Sequence, residues 1–125
     1  MAWSFSQNSP VYFQIAERIT KWVLSGDYQQ GEQLPSVRQL ALEAAVNPNT
    51  VQHAFSELEN DGIIVSKGTV GRYVTEDCEV IELCRRRMVL RTVKEFTENL
   101  TQMSVSKEQI ISMIEEVMQD EHTSV

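Results

Sequence analysis

The sequence is short of cysteine, proline, glycine and positive charge, and each shortage removes a class of protein. Its only cysteines are Cys78 and Cys84. Six residues apart on one expected helix, they lie on different faces and about 9 Å apart along the axis, too far for a disulfide. They read as reduced thiols filling small apolar positions. Besides them only His53 and His122 could ligate a soft metal, so the chain holds no cluster with metal-ligand spacing and no cofactor is expected. Five glycines and three prolines in 125 residues leave no low-complexity linker and no internal repeat. The longest apolar run is too short to span a bilayer. The start, Met1-Ala2-Trp3-Ser4-Phe5, lacks the basic region and apolar stretch of a secretion signal, so a cytoplasmic protein is expected. Catalytic sets are missing as well. No Ser/His/Asp or Cys/His arrangement has supporting context, no glycine-rich phosphate loop follows a strand, and Glu115-Glu116 reads as a solvated pair. The chain is not expected to be an enzyme.

What remains is a soluble composition, 42% hydrophobic and 23% charged, long enough for one domain and an appendage. Helix signals dominate. Ser9-Pro10 reads as an N-cap with proline in the first turn, followed by Ile15, Ile19, Trp22 and Val23 at helical spacing, and Gly26 as the stop. Ser36 and Gln39 form a capping-box pattern before Val37, Leu40, Ala41 and Ala44. Asn47-Pro48 opens a third helix with Val51, Ala54, Phe55 and Leu58 inward, ending at Asn60-Asp61-Gly62. Ile63-Ile64-Val65 and Arg72-Tyr73-Val74-Thr75 then read as a β-hairpin with Lys67-Gly68 at its tip. The expected fold is α+β but mostly α: a winged helix-turn-helix over residues 1–76, then a short two-helix dimerisation tail over residues 77–125.

In such a fold the third helix enters the DNA major groove with the face turned away from the core. That face carries Asn49, Thr50, Gln52, His53 and Ser56, short polar side chains able to reach phosphates or base edges. Arg38 is the only Lys or Arg between residues 22 and 66. It stands in the first turn of its helix, where the dipole slightly disfavours a cation, so a phosphate or guanine contact explains it better than stability does. Lys67, Gly68 and Arg72 supply a wing contact, with glycine at the tip allowing close approach. Net charge runs against this reading. The chain carries −7, and residues 1–76 hold five Lys/Arg against eight Asp/Glu. Affinity from counterion release, however, follows phosphates neutralised rather than net charge. The acidity suits a second reading, a winged-helix protein-interaction module without direct DNA binding. The polar, non-acidic start of the third helix favours the first.

The run Gly26-x-Tyr28-x-x-Gly31-x-x-Leu34-Pro35-Ser36-Val37-Arg38-x-Leu40-Ala41, with Val46-Asn47-Pro48-Asn49-Thr50-Val51, Ala54-Phe55, Leu58-Glu59, Gly62-Ile63 and Gly71-Arg72-Tyr73-Val74, resembles the GntR family of bacterial transcription regulators. The resemblance covers about residues 10–76, and the short tail is similar to the YtrA-type branch. It implies DNA contacts at Arg38, Asn47, Asn49, Thr50, Gln52, Lys67 and Gly68. Some relatives carry arginine at the positions of Pro48 and Gln52, and many carry glycine at that of Ala45. The branch is commonly encoded beside ABC-transporter operons that it represses.

In the tail, Val89, Val93, Phe96, Leu100 and Met103 form a heptad-like seam. Ser106-Lys107-Glu108-Gln109 starts a second helix whose apolar positions include Ile110, Ile114 and Val117. Two copies paired along these faces would make a homodimer matching palindromic half-sites on double-stranded DNA. Helices this short leave room for at most a small apolar effector at the dimer interface. Arg85-Arg86-Arg87 reads as a solvated face pairing with Glu79, Glu82 and Glu95. The aromatic arm, Trp3 and Phe5, is expected to pack on the tail or the partner.

Overall fold

A computed structural model describes residues 3–123, with side chains as far as residue 120; Met1, Ala2 and the His122 side chain lie outside the described residues. The elements run α1 (Val11–Ser25), α2 (Val37–Ala44), α3 (Pro48–Asn60), β1 (Ile64–Ser66), β2 (Arg72–Val74), α4 (Cys78–Gln102) and α5 (Lys107–Thr123). Local chemistry sets most of their ends. Ser36 Oγ accepts from the Gln39 amide at 3.1 Å while Gln39 Oε1 accepts from the Ser36 amide at 3.0 Å, closing the α2 capping box. The same reciprocal pair, Ser106 and Gln109, opens α5. Asn47 caps α3 by accepting from the Asn49 amide at 2.8 Å, and Pro48 fills the first turn. Helix α1 departs from expectation. Pro10 rather than Ser9 stands at the N-cap, with no side-chain cap; instead Gln14 folds back, its Nε2 donating to the carbonyls of Ser9 and Ser6. Gly26 ends α1 at φ 89°, and α2 ends on Ala45 at φ 56°, a left-handed conformation that costs a residue with a Cβ.

The chain divides into two compact units, residues 1–86 and 87–125. The core of the first is formed by the inward stripes of α1, α2 and α3 with the hairpin: Ile15, Ile19, Leu40, Val51, Phe55, Leu58, Ile63, Ile64 and Val74 are all but solvent-free. Strand β1 pairs antiparallel with β2, Ile64 opposite Val74 and Ser66 opposite Arg72. The stretch before α2 adds a third edge. The Gly31 amide donates to the Val74 carbonyl, Val74 to Glu32, and Leu34 to Arg72, at 2.9–3.0 Å, with Gln33 bridging Tyr73.

The first unit reaches past residue 76 because the start of α4 belongs to it. Ile81 and Cys84 are buried in its core, and Arg85 Nη1 donates to the Leu24 carbonyl at 3.2 Å, where a cation suits the C-terminal end of α1. The same guanidinium meets Glu82 at 3.1 Å, one of the pairings expected for this cluster. The aromatic arm also corrects its expectation. Trp3 meets Trp22 edge-on at 5.3 Å, Phe5 at 5.8 Å, and the Arg18 guanidinium at 5.1 Å, so the arm covers α1 of its own unit. The reason is Trp22, half-buried on α1, which leaves aromatic surface for the arm to cover. Tyr28, edge-on to Trp22 at 5.7 Å, is buried; burial first, then Glu43 and Glu32, raise its phenol above the ordinary value.

In the second unit, Val89, Val93, Phe96, Met103, Ile114 and Val117 are exposed, as are Leu90, Ile111, Met113 and Met118. Leu100 is half-buried, and Ile110, counted in the dimer seam from sequence, is already buried within its own chain. Cys78 and Cys84 are both free thiols, one exposed and one buried. Among the described residues no helix is long and apolar enough to cross a membrane, and no group of His, Cys, Asp and Glu is placed to hold a metal.

Candidate nucleic-acid interface

Because Val51, Ala54, Phe55 and Leu58 are all turned inward, the other side of α3 must face out. Asn47, Asn49, Gln52 and His53 are exposed there, and Thr50 is half-buried. Among the described residues the side chains of Asn49, Thr50 and Gln52 have no protein partner. Asn47 Oδ1 is committed to the cap, which leaves its amide nitrogen to reach outward. His53 is not free in the same way. Its ring stacks on Tyr12 of α1 at 3.6 Å and 13°, and its Nε2 lies 3.8 Å from Glu57. Sequence reading missed Tyr12, because a contact between helices forty residues apart leaves no local signal.

Arg38 is exposed at the start of α2 and, among the described residues, has no acidic partner. It lines an open cleft of about 580 Å³ running from Gln33–Gln39 across Phe55 to Val70, Gly71 and Arg72 of the wing. On the wing, Lys67 lies 4.7 Å over the Tyr73 ring, which steadies a cation that remains exposed. Gly68 takes φ 59° with nothing near its Cβ position, as a tip that meets a groove requires. Gly71 is constrained differently: a Cβ there would sit 2.9 Å from Gln33 Nε2, which donates to the Val70 carbonyl at 3.2 Å. Arg72, the remaining cation of the sequence-derived set, is turned inward to Glu59 at 2.6 Å and over Phe55 at 5.0 Å. Arg38 and Lys67 are therefore the exposed cations of this set, while Arg72 is paired with Glu59. Of the acids near α3, Glu57 and Glu59 are drawn to His53 and Arg72, away from Asn49, Thr50 and Gln52.

A three-helix core, a capped helix with an uncharged exposed end, and a two-stranded wing with a cationic tip define a DNA-binding winged helix of the regulatory kind. The model of the bacterial regulatory proteins of the gntR family matches residues 11–74. The chain is 32% identical over 114 residues to the HTH-type transcriptional repressor YtrA of Bacillus subtilis (strain 168), spanning 90% of this chain and 88% of that one. It is 29% identical over 110 residues to the HTH-type transcriptional regulator YhcF of the same organism, spanning 88% and 91%. Among solved structures, a GntR family transcriptional regulator from Listeria monocytogenes superposes with TM-score 0.82 at 34% identity, covering 90% of this chain and 98% of that one. The protein belongs to the GntR family of transcriptional regulators, in its short-tailed YtrA-type branch.

Proposed function

We propose that the protein is a cytoplasmic repressor that binds a palindromic operator as a homodimer. The observation carrying this reading is the polar start of α3, where Asn49, Thr50 and Gln52, like Arg38 on α2, have no partner among the described residues. Asn and Gln can each pair bidentately with adenine, discriminating by about 1–3 kcal/mol, while Arg38 reaches a phosphate or a guanine edge and Lys67 a phosphate. Asn47 and His53 flank this end, and Gly68 brings the wing tip to the adjacent groove. Two copies are inferred because α4 and α5 leave many large apolar side chains open to solvent, a surface that favours a partner. Pairing through Val89, Val93, Phe96, Met103, Ile114 and Val117 covers it. A two-fold pair then places two α3 ends on half-sites about one DNA turn, roughly 34 Å, apart.

A small apolar effector held between the paired tails is the input this assembly accommodates. The repressor role agrees with the name of the YtrA relative, and the branch resemblance points toward a transporter operon without naming one. Mobility shift with palindromic duplexes at two salt concentrations, together with sedimentation of the free protein, tests both parts. A retarded complex that weakens steeply with salt and a dimeric sedimentation coefficient are expected. No shift at low salt would favour a protein-interaction module, and a monomer at micromolar concentration would remove the dimer.

A further inference from the structure

Arg72 is unlike the other cations of the interface in having its charge met inside the fold. It opens β2 opposite Ser66, and its Nε donates to Glu59 Oε1 at 2.6 Å. Its guanidinium lies 5.0 Å over the ring of Phe55, itself buried in the core. Both charged side chains are largely covered, 24% and 34% exposed. The pair therefore ties the wing to the C-terminal half of α3, with a short charge-assisted hydrogen bond on one side and an aromatic face on the other. The backbone agrees: the Arg72 carbonyl accepts from Leu34 at 2.9 Å, and Gln33 holds Val70 beside it. Together these contacts set one wall of the cleft whose other wall carries Arg38.

We propose that Arg72 is a positioning residue acting through Glu59: it fixes the wing, and with it Lys67 and Gly68, relative to α3, and it does not contact the nucleic acid. The inference rests on the DNA-binding reading of this surface. A cation already paired with a carboxylate displaces no condensed counterion, so the salt dependence of binding separates the two roles. Replacing Glu59 separates them further. Its loss frees the guanidinium and strengthens binding if Arg72 grips a phosphate, but weakens binding if Arg72 is a strut.

The test uses the full-length protein and a duplex that the wild type enriches from a randomised pool. Glu59→Gln, Arg72→Gln, Arg72→Lys and the double Gln variant are titrated at several salt concentrations. Each single Gln variant is expected to lose about tenfold in affinity, with the double variant no worse than either. The salt slope stays at the wild-type value, and Arg72→Lys fails to rescue because a point charge lacks both the fork and the flat face. In the free Glu59→Gln protein the amides of Ser66, Lys67 and Val70 exchange faster. The proposal is overturned if Glu59→Gln binds as tightly as wild type or tighter. It is equally overturned if Arg72→Gln lowers the slope by about one per subunit while Arg72→Lys restores affinity. Should Arg72→Gln unfold, Glu59→Gln alone decides, since it keeps the shape of the side chain it replaces. A wild type that enriches no duplex at low salt overturns the interface and the strut together; a wild type that binds while Glu59→Gln keeps its affinity overturns the strut alone.

Discussion

Replacing Arg38 with alanine should lower binding while leaving the fold intact. The side chain is exposed and has no acidic partner among the described residues, so its removal breaks no contact of the fold. The α2 capping box uses Ser36 and Gln39 and is untouched. Alanine suits a helix at least as well as arginine, and the change removes a cation from a first turn where the dipole disfavours it. Stability should therefore stay within about 0.5 kcal/mol of wild type. On the DNA side the arithmetic is larger. One arginine contact with a guanine edge is worth about 1–3 kcal/mol, and a homodimer loses two, so affinity should fall by about 2–6 kcal/mol, roughly thirtyfold to twenty-thousandfold. If the lost contacts are to phosphate, the slope of log affinity against log salt falls by about two per dimer. Fluorescence anisotropy at three or more salt concentrations measures both, with circular dichroism and thermal unfolding as the folding controls. A folded Arg38→Ala protein with wild-type affinity and slope would take Arg38 out of the interface.

Three further outcomes follow from the packing. A chain ended after Arg86 should fold and sediment as a monomer, whereas one ended after Glu76 loses Ile81 and Cys84 from the core and should be destabilised by about 3 kcal/mol or more; equal melting temperatures for the two would contradict the position of the unit boundary. Ala45→Gly relieves the left-handed φ of 56° and should raise stability by about 1 kcal/mol, read as a melting temperature a few degrees higher by calorimetry. Tyr28 has its phenol raised in the folded state, first by burial and then by Glu43 and Glu32, so the fold keeps that proton longer than the unfolded chain does. Its stabilising contribution is complete below pH of about 10 and is lost as pH rises through the folded value, and an alkaline unfolding profile that Tyr28→Phe leaves unchanged would count against it.

The parts of the fold that were legible in the sequence are those written in short-range chemistry. The inward faces of α1 to α3 follow from residues three and four apart, and the starts of α2, α3 and α5 from a cap and its partner within three residues. The hairpin was visible in its β-branched runs and glycines. The exposed set Asn49, Thr50 and Gln52 could be read because burying Val51, Ala54, Phe55 and Leu58 leaves those positions outside. The roles of His53 and Arg72 could not be read in this way. Each is polar and sits at a plausible contact position, yet Tyr12 and Glu59 engage them through side chains whose meeting no spacing announces.

The sequence on its own set where the helices and the wing begin, which faces they bury, and that one uncharged helix end is left exposed, because each depends on the backbone's own period and its nearest neighbours. Tertiary structure decided which cations keep their charge open, where the aromatic arm lies, that residues 31–34 join the wing, and that the first unit extends into α4. Those outcomes depend on which distant side chains come within a few ångströms once the core has closed, and chain order does not record that distance.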